Sequence, residues 1–95
     1  MQEIIKMFRN EFPYIDREDK TITEILRNPD NYFIEKRDDC NNLIAVSVIN
    51  KNTILFFCVD KKYRNKGIGT ELLYNSENLI KNKGYKNIVI GAGFN

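Results

Sequence analysis

The chain has 95 residues, 42% of them hydrophobic and 29% charged, with a formal net charge of +2. This length and composition predict one small globular domain over residues 1–95, and the weak net charge gives no support for binding to nucleic acid. No apolar run reaches the length of a membrane span, and the N-terminal residues carry too many charges for a signal peptide, so we expect no membrane partner.

The first part of the chain predicts two helices. Apolar residues recur at helical spacing over residues 3–12 and indicate an amphipathic helix that Pro13 would end. A second helix is predicted from near Thr21, where Glu24 stands three residues further on, as in a capping box.

The hydrophobic period then changes to that of strands. Three short apolar segments separated by polar turns predict a meander: YFIEK (32–36), LIAVSVI (43–49) and TILFFCVD (53–60). The third is apolar on both faces, which predicts a central strand. A helix capped by Gly84 and a strand over residues 87–94 follow, and this strand–helix–strand unit implies a parallel crossover.

The chain contains two cysteines and no histidine. We expect Cys40 in a turn and Cys58 inside a strand. A disulfide between them is one alternative, but two free thiols in a reducing cytoplasm are the better interpretation. The composition excludes histidine-based triads and histidine-bound metals, and two cysteines alone make a poor zinc site, so no metal is expected.

The segment VDKKYRNKGIGTELL (59–73) joins the third strand to the next helix. A helix N-terminus offers free N–H groups and partial positive charge, glycine lets a ligand approach the backbone, and Arg64 and Lys66 add charge. These properties suit a phosphate group. The plainer alternative is a turn glycine beside solvated lysines. The P-loop pattern is absent, and Leu72 occupies the place of the third glycine in the dinucleotide fingerprint.

The pattern that fits is R-x-x-G-x-G, read here as RNKGIG (64–69), directly after an apolar strand. It resembles the acyl-CoA signature of the GNAT superfamily of N-acetyltransferases, and the order of predicted elements resembles that family as well. The resemblance implies an α/β (α+β) fold with a mixed, mostly antiparallel sheet and helices on both sides. It also implies that this chain is an incomplete version, lacking the family's last helix and last two strands.

The resemblance further implies a site for acetyl-CoA as co-substrate. Backbone amides from Asn65 to Thr70 would hold the pyrophosphate, with Arg64 and Lys66 beside it, and the strand end would bind the pantetheine arm. The strands flanking the cofactor would separate, and Gly91 and Gly93 suit such a place. The cofactor-binding residues implied are Cys58, Val59, Arg64, Asn65, Lys66, Gly67, Ile68, Gly69 and Thr70.

No catalytic residue can be assigned from the sequence. A strand N–H near Cys58 or Val59 is suited to polarising the thioester carbonyl. Glu35 is a candidate base, but a solvated strand residue is the better interpretation. Tyr63 and Tyr74 flank the glycine loop and are expected to pack around it rather than donate protons, and a strand cysteine is usually a small apolar residue.

The sequence thus predicts acetyl transfer from acetyl-CoA to an amine, by direct attack in a ternary complex. The alternatives are a fragment of a larger transferase, or a catalytically inactive CoA-binding or assembly domain. An open sheet edge after Ile90 would favour pairing with a second copy as a homodimer.

Overall fold

The computed structural model describes residues 2–11 and 20–94. Within them the elements follow the predicted order, with a short 3₁₀ turn added after the third strand. They are α1 (Gln2–Glu11), α2 (Lys20–Arg27), β1 (Asn31–Arg37), β2 (Leu43–Asn50), β3 (Thr53–Val59), the 3₁₀ turn (Lys61–Tyr63), α3 (Ile68–Asn82) and β4 (Val89–Phe94).

Predicted and observed boundaries differ by one or two residues. Helix α2 begins at Lys20, so Thr21 lies inside the first turn rather than at its cap. The turn between β2 and β3 is shorter than predicted, because only Lys51 and Asn52 remain outside the strands. Pro13, the predicted helix breaker, lies outside the described residues.

The four strands form one sheet in the order β1-β2-β3-β4. Strand β2 pairs antiparallel with β1 and with β3, and β3 pairs parallel with β4 across the α3 crossover. The prediction of a mixed, mostly antiparallel sheet with β3 in an interior position is therefore confirmed.

Helices cover both faces of the sheet. On one face α1 and α2 pack against alternate residues of β2 and β3, and the Phe8 and Phe56 rings stack with their centroids 5.1 Å apart. On the other face α3 packs against the intervening residues, with Leu72 and Ile80 fully buried. Each such side chain contributes about 1.5–3 kcal/mol through removal from water, so the two cores fix the sheet between its helices.

A polar contact lies within the α3 side of the core. The Ser76 hydroxyl lies 2.8 Å from the Ser47 hydroxyl of β2 and 2.8 Å from the Leu72 carbonyl oxygen of its own helix. Both serines are fully buried. This contact fixes the position of α3 against β2, and the apolar pattern of the chain does not predict it.

The backbones of β3 and β4 approach closely at Gly91. A Cβ added there would lie 2.9 Å from the Ile54 carbonyl oxygen and 3.1 Å from that of Leu55, so the approach leaves no room for a side chain. The register of the two strands shifts just after Ile54 but pairing continues to Phe57. Strands β3 and β4 therefore stay paired between Thr53 and Phe57, with one irregularity in the ladder, and do not show the expected separation there.

Glycine also ends α3 as predicted. Gly84 has a φ of +95°, the left-handed conformation that glycine adopts without steric cost, and its N–H donates to the Lys81 carbonyl oxygen.

Candidate functional site

A capped turn directs the chain out of β3. The Asp60 side chain accepts a hydrogen bond from the Lys62 N–H at 2.9 Å, and its carbonyl oxygen accepts one from the Tyr63 N–H at 2.8 Å. The Asp60 N–H donates to the Ile44 carbonyl oxygen of β2. The turn is thus fixed to the sheet, and Lys61 and Lys62 are exposed to solvent.

Two left-handed residues shape the loop that follows. Asn65 has a φ of 63° and Gly67 a φ of 83°, whereas the intervening Lys66 is not left-handed. Asparagine and glycine are the residues that adopt this conformation most readily. Alternation of this kind turns successive N–H groups toward one side and makes a concave anion-binding surface.

The N-terminus of α3 opens at this loop. Gly67 is the N-cap residue, and no described side chain caps this end of the helix. The first backbone bond of the helix runs from the Glu71 N–H to the Gly67 carbonyl oxygen. The N–H groups of Ile68, Gly69 and Thr70 precede that bond, at the positive end of the helix dipole.

An open concavity of about 220 Å³ lies between the end of β3 and this helix, lined by Val59, Arg64, Asn65 and Gly69. A Cβ added at Gly69 would meet the Val59 Cγ2 atom at 3.6 Å, an ordinary contact. The packing of the protein itself therefore does not require glycine at position 69, where its small size keeps the concavity open.

The charged groups near the concavity are mostly cationic. Arg64 donates from Nε to the Val59 carbonyl oxygen at 3.2 Å, which fixes its guanidinium beside the strand end. Lys66 is exposed, with its ammonium 5.6 Å from the centre of the Tyr63 ring. The carboxylate in the first turn of α3, Glu71, forms an ion pair with Lys36 at 2.6 Å, so its charge is offset.

Tyr63 links the loop to a distant turn. Its hydroxyl donates a hydrogen bond to Oδ2 of Asp38, between β1 and β2, at 3.1 Å. That bond is the main cause that raises the pKa of the Tyr63 phenol above its ordinary value. Backbone and side-chain hydrogen bonds from Asn42, together with the Tyr63 bond, lower the pKa of Asp38. Because the phenol is bound to a carboxylate and its ring packs against the α3 core, the prediction that Tyr63 packs rather than donates to a substrate is supported.

The implied cofactor residues divide by position. Four of them line the concavity, and Gly67, Ile68 and Thr70 form the adjoining start of the helix. The Cys58 side chain is fully buried in the core on the α1 side, so only its backbone is placed to face a ligand. Both cysteines are free thiols, Cys40 exposed in its turn and Cys58 buried.

The remaining catalytic candidates lie elsewhere. Glu35 pairs with Arg37 at 3.2 Å on the surface and does not line the concavity. Tyr74 is 66% exposed, so the expectation that it packs around the loop is wrong. Sequence reasoning also missed Asp38, because no pattern links it to Tyr63, 25 positions away.

Within the described residues, none of the helices is long and apolar enough to cross a bilayer. No three acidic, cysteine or histidine side chains there come together as a metal site would require.

The sequence and the fold are similar to those of known proteins. The sequence matches the acetyltransferase (GNAT) family over residues 1–93. No curated protein matches it significantly.

Solved acetyltransferase structures share the fold. A Pyrococcus furiosus protein assigned as an acetyl transferase superposes with a TM-score of 0.82 at 22% identity, covering 94% of this chain and 74% of its own. A ribosomal-protein-alanine N-acetyltransferase from Brucella melitensis biovar Abortus 2308 gives 0.78 at 15% identity, covering 96% and 72%. An aminoglycoside 6'-N-acetyltransferase complexed with coenzyme A gives 0.76 at 16% identity, covering 87% of this chain and 49% of its own. The family match over nearly the whole sequence, together with this shared fold, shows that the chain belongs to the acetyltransferase (GNAT) family.

Proposed function

We propose that this chain binds acetyl-CoA at the loop before α3 and transfers the acetyl group to an amine. Acyl-CoA-dependent acetyl transfer is the activity of the family to which the chain belongs. The observation that carries the proposal is the uncapped N-terminus of α3, which opens into a concavity that Gly69 leaves unfilled. A coenzyme A complex among the structural neighbours supports the identity of the ligand.

The diphosphate of the ligand would be held mainly by backbone groups. The N–H groups from Asn65 to Thr70 surround the start of a 15-residue helix, where an anion gains from both hydrogen bonds and the dipole. Arg64 and Lys66 add positive charge beside them. Because these donors belong to the main chain, the site depends on loop shape more than on any one side chain.

The pantetheine arm would run along the end of β3. The loop starts directly after Val59, so a diphosphate at the loop places the rest of the ligand beside this strand. An extended ligand pairs with an exposed strand backbone as an added strand does. An N–H near Cys58 or Val59 would then be in position to polarise the thioester carbonyl.

The transfer itself needs a neutral amine. Its nitrogen attacks the thioester carbon, the new C–N bond forms, the C–S bond breaks, and the thiolate takes up one proton while the nitrogen loses one. No carboxylate or phenol is among the residues that line the concavity. We therefore assign this chain the roles of binding and orienting acetyl-CoA, and assign no side chain as acid or base.

Two measurements test the proposal. Isothermal titration calorimetry with acetyl-CoA should show saturable binding, and a thiol-release assay with a panel of amines should show turnover that needs both substrates. The absence of binding would refute the proposal. Binding without thiol release would refute the transfer step and favour the second candidate.

The second candidate is a non-catalytic binding or assembly domain. The observation that favours it is β4, where Ile90 is 58% exposed and Val89 is 48% exposed. An exposed strand with apolar residues is prone to pair with another copy. Sedimentation velocity of the wild type and of Ile90→Lys tests assembly through β4. A dimer lost in the variant supports it, and a monomer in both, or a dimer that persists in the variant, refutes it.

We also infer a cytoplasmic location from the two free thiols, since reducing compartments keep cysteines unpaired. Fractionation of cells that produce a tagged chain tests this inference.

A further inference from the structure

We propose that Tyr63 is a positioning residue for the anion site, held in place by Asp38 of the turn between β1 and β2. The identity of the anion rests on the function proposed above. The claim about loop shape rests on contacts in the structure alone.

The turn between β1 and β2 is an anchor held by several hydrogen bonds. The Asp38 carboxylate accepts hydrogen bonds from the Cys40 N–H at 3.0 Å and the Asn42 N–H at 2.8 Å. The Asp38 N–H donates to the Asn42 carbonyl oxygen at 3.0 Å, closing the turn, and Asn41 takes the left-handed conformation with a φ of 68°. Asp38 thus presents its second carboxylate oxygen in a fixed direction.

The anchor is tied to the rest of the protein as well. Arg37 donates to the Asn41 carbonyl oxygen at 2.9 Å and forms an ion pair with Glu3 of α1 at 3.0 Å. Glu3 also accepts a hydrogen bond from the Leu43 N–H, where β2 begins. The turn is therefore connected to both α1 and the sheet.

Tyr63 connects this turn to the basic loop. Its hydroxyl binds Asp38, its ring packs on the α3 core and its N–H binds the Asp60 carbonyl oxygen. The ring also lies beneath the ammonium of Lys66, the residue between the left-handed Asn65 and Gly67 in the chain. A residue fixed at its hydroxyl, its ring and its backbone limits how far the loop can move, and the main-chain donors of an anion site need that limit.

Two matched substitutions isolate the contact. Tyr63→Phe removes the hydroxyl and keeps the ring. Asp38→Asn keeps one carbonyl oxygen for the turn but replaces Oδ2, which accepts from Tyr63 and, at 3.3 Å, from the Asn42 side-chain amide. Asp39→Asn is the control, because it removes the same charge from an exposed neighbour in the same turn.

Hydrogen exchange followed by mass spectrometry measures the loop directly. We expect the hydrogen-bonded amides of Lys62, Tyr63 and Arg64 to exchange about three- to tenfold faster in both variants, the size expected for loss of one hydrogen bond. The double variant should exchange no faster than Asp38→Asn alone, because both substitutions remove the contact between Tyr63 and Asp38. Peptides from β2 and the Asp39→Asn control should be unchanged.

Calorimetry and kinetics then connect loop shape to binding. The Kd for acetyl-CoA should rise by about the same three- to tenfold factor in Tyr63→Phe, while kcat at saturating acetyl-CoA stays unchanged. Unaltered loop exchange in either variant would overturn the proposal, as would acceleration spread equally through β2. If the wild type does not bind acetyl-CoA, the proposed function fails, and the exchange data still decide the role of Tyr63.

Discussion

Two glycines at opposite ends of α3 allow a controlled test of the site. Gly67 and Gly84 both have left-handed φ values, 83° and 95°, and neither has an atom within 4 Å of an added Cβ. Substitution by Asp therefore adds one negative charge and a similar backbone strain of about 1 kcal/mol at either position. Only Gly67 lies at the proposed diphosphate site, so the two variants should differ in binding.

The size of that difference follows from Coulomb repulsion. For an assumed separation of about 5 Å between a carboxylate at position 67 and a bound diphosphate, repulsion between unit charges is about 3 kcal/mol at an effective dielectric constant of about 20. This corresponds to a loss of affinity of about 100-fold. Position 84 lies beyond the far end of a 15-residue helix, about 22 Å away and beyond the screening length of about 8 Å at physiological salt.

The assay is calorimetric titration with acetyl-CoA, with thermal unfolding measured in parallel. We expect Gly84→Asp to lose more stability than Gly67→Asp, because a carboxylate is favourable at the N-terminus of a helix and unfavourable at its C-terminus. Only Gly67→Asp should lose binding. A Kd for Gly67→Asp equal to that of the wild type would refute the assignment of the site to this loop. Equal losses of binding would show that strain, rather than contact with the ligand, is responsible.

Three further predictions concern binding and stability. Gly69→Ala should leave the unfolding temperature within about 2 °C of wild type, because the new methyl group meets Val59 at an ordinary 3.6 Å. The same methyl group narrows the concavity, so acetyl-CoA binding should weaken about tenfold. An unchanged calorimetric affinity would contradict this. Ser76→Ala should lower the urea-measured free energy of unfolding by about 1–3 kcal/mol, since Ser47 stays buried without its partner. Ser47→Ala should cost less, because Ser76 keeps its bond to a carbonyl of its own helix, and the reverse order would contradict the account. Folding lowers the pKa of Asp38, so its contribution to stability is present above about pH 4, the ordinary pKa of an aspartate, and is lost as the pH falls further. The free energy of unfolding of Asp38→Asn should therefore depend less steeply on acid pH than that of the wild type. Parallel curves would refute this.

The order and type of the elements could be predicted because hydrophobic period and turn residues agree along most of the chain. β2 is buried on both faces and α3 has a clear apolar side, so burial follows directly from the pattern. Element ends were less predictable, since a shift of one or two residues costs little hydrophobic burial. The start of α2 at Lys20 and of β4 at Val89 are examples.

The glycine loop could be recognised because its chemistry is local. The residues that turn the backbone and those that carry charge lie within six consecutive positions, 64–69. The support of that loop could not be predicted, because it depends on contacts between distant parts of the chain. Asp38 meets Tyr63 only once the sheet has formed, and Lys36 meets Glu71 in the same way.

The exposure of Tyr74 shows a further limit. Its position in the sequence places it close to the loop, but helical geometry turns it to the side of α3 that faces solvent. The burial of the Cys58 side chain follows from strand alternation, which points it toward α1 while Phe57 and Val59 point toward α3.

The most direct test of the central claim is an NMR titration of the ¹⁵N-labelled chain with coenzyme A. The account predicts saturable shifts concentrated in the backbone amides of residues 65–70 and at the end of β3, with little change in α1 or β1. Shifts confined to other surfaces, or no shifts at millimolar ligand, would contradict it.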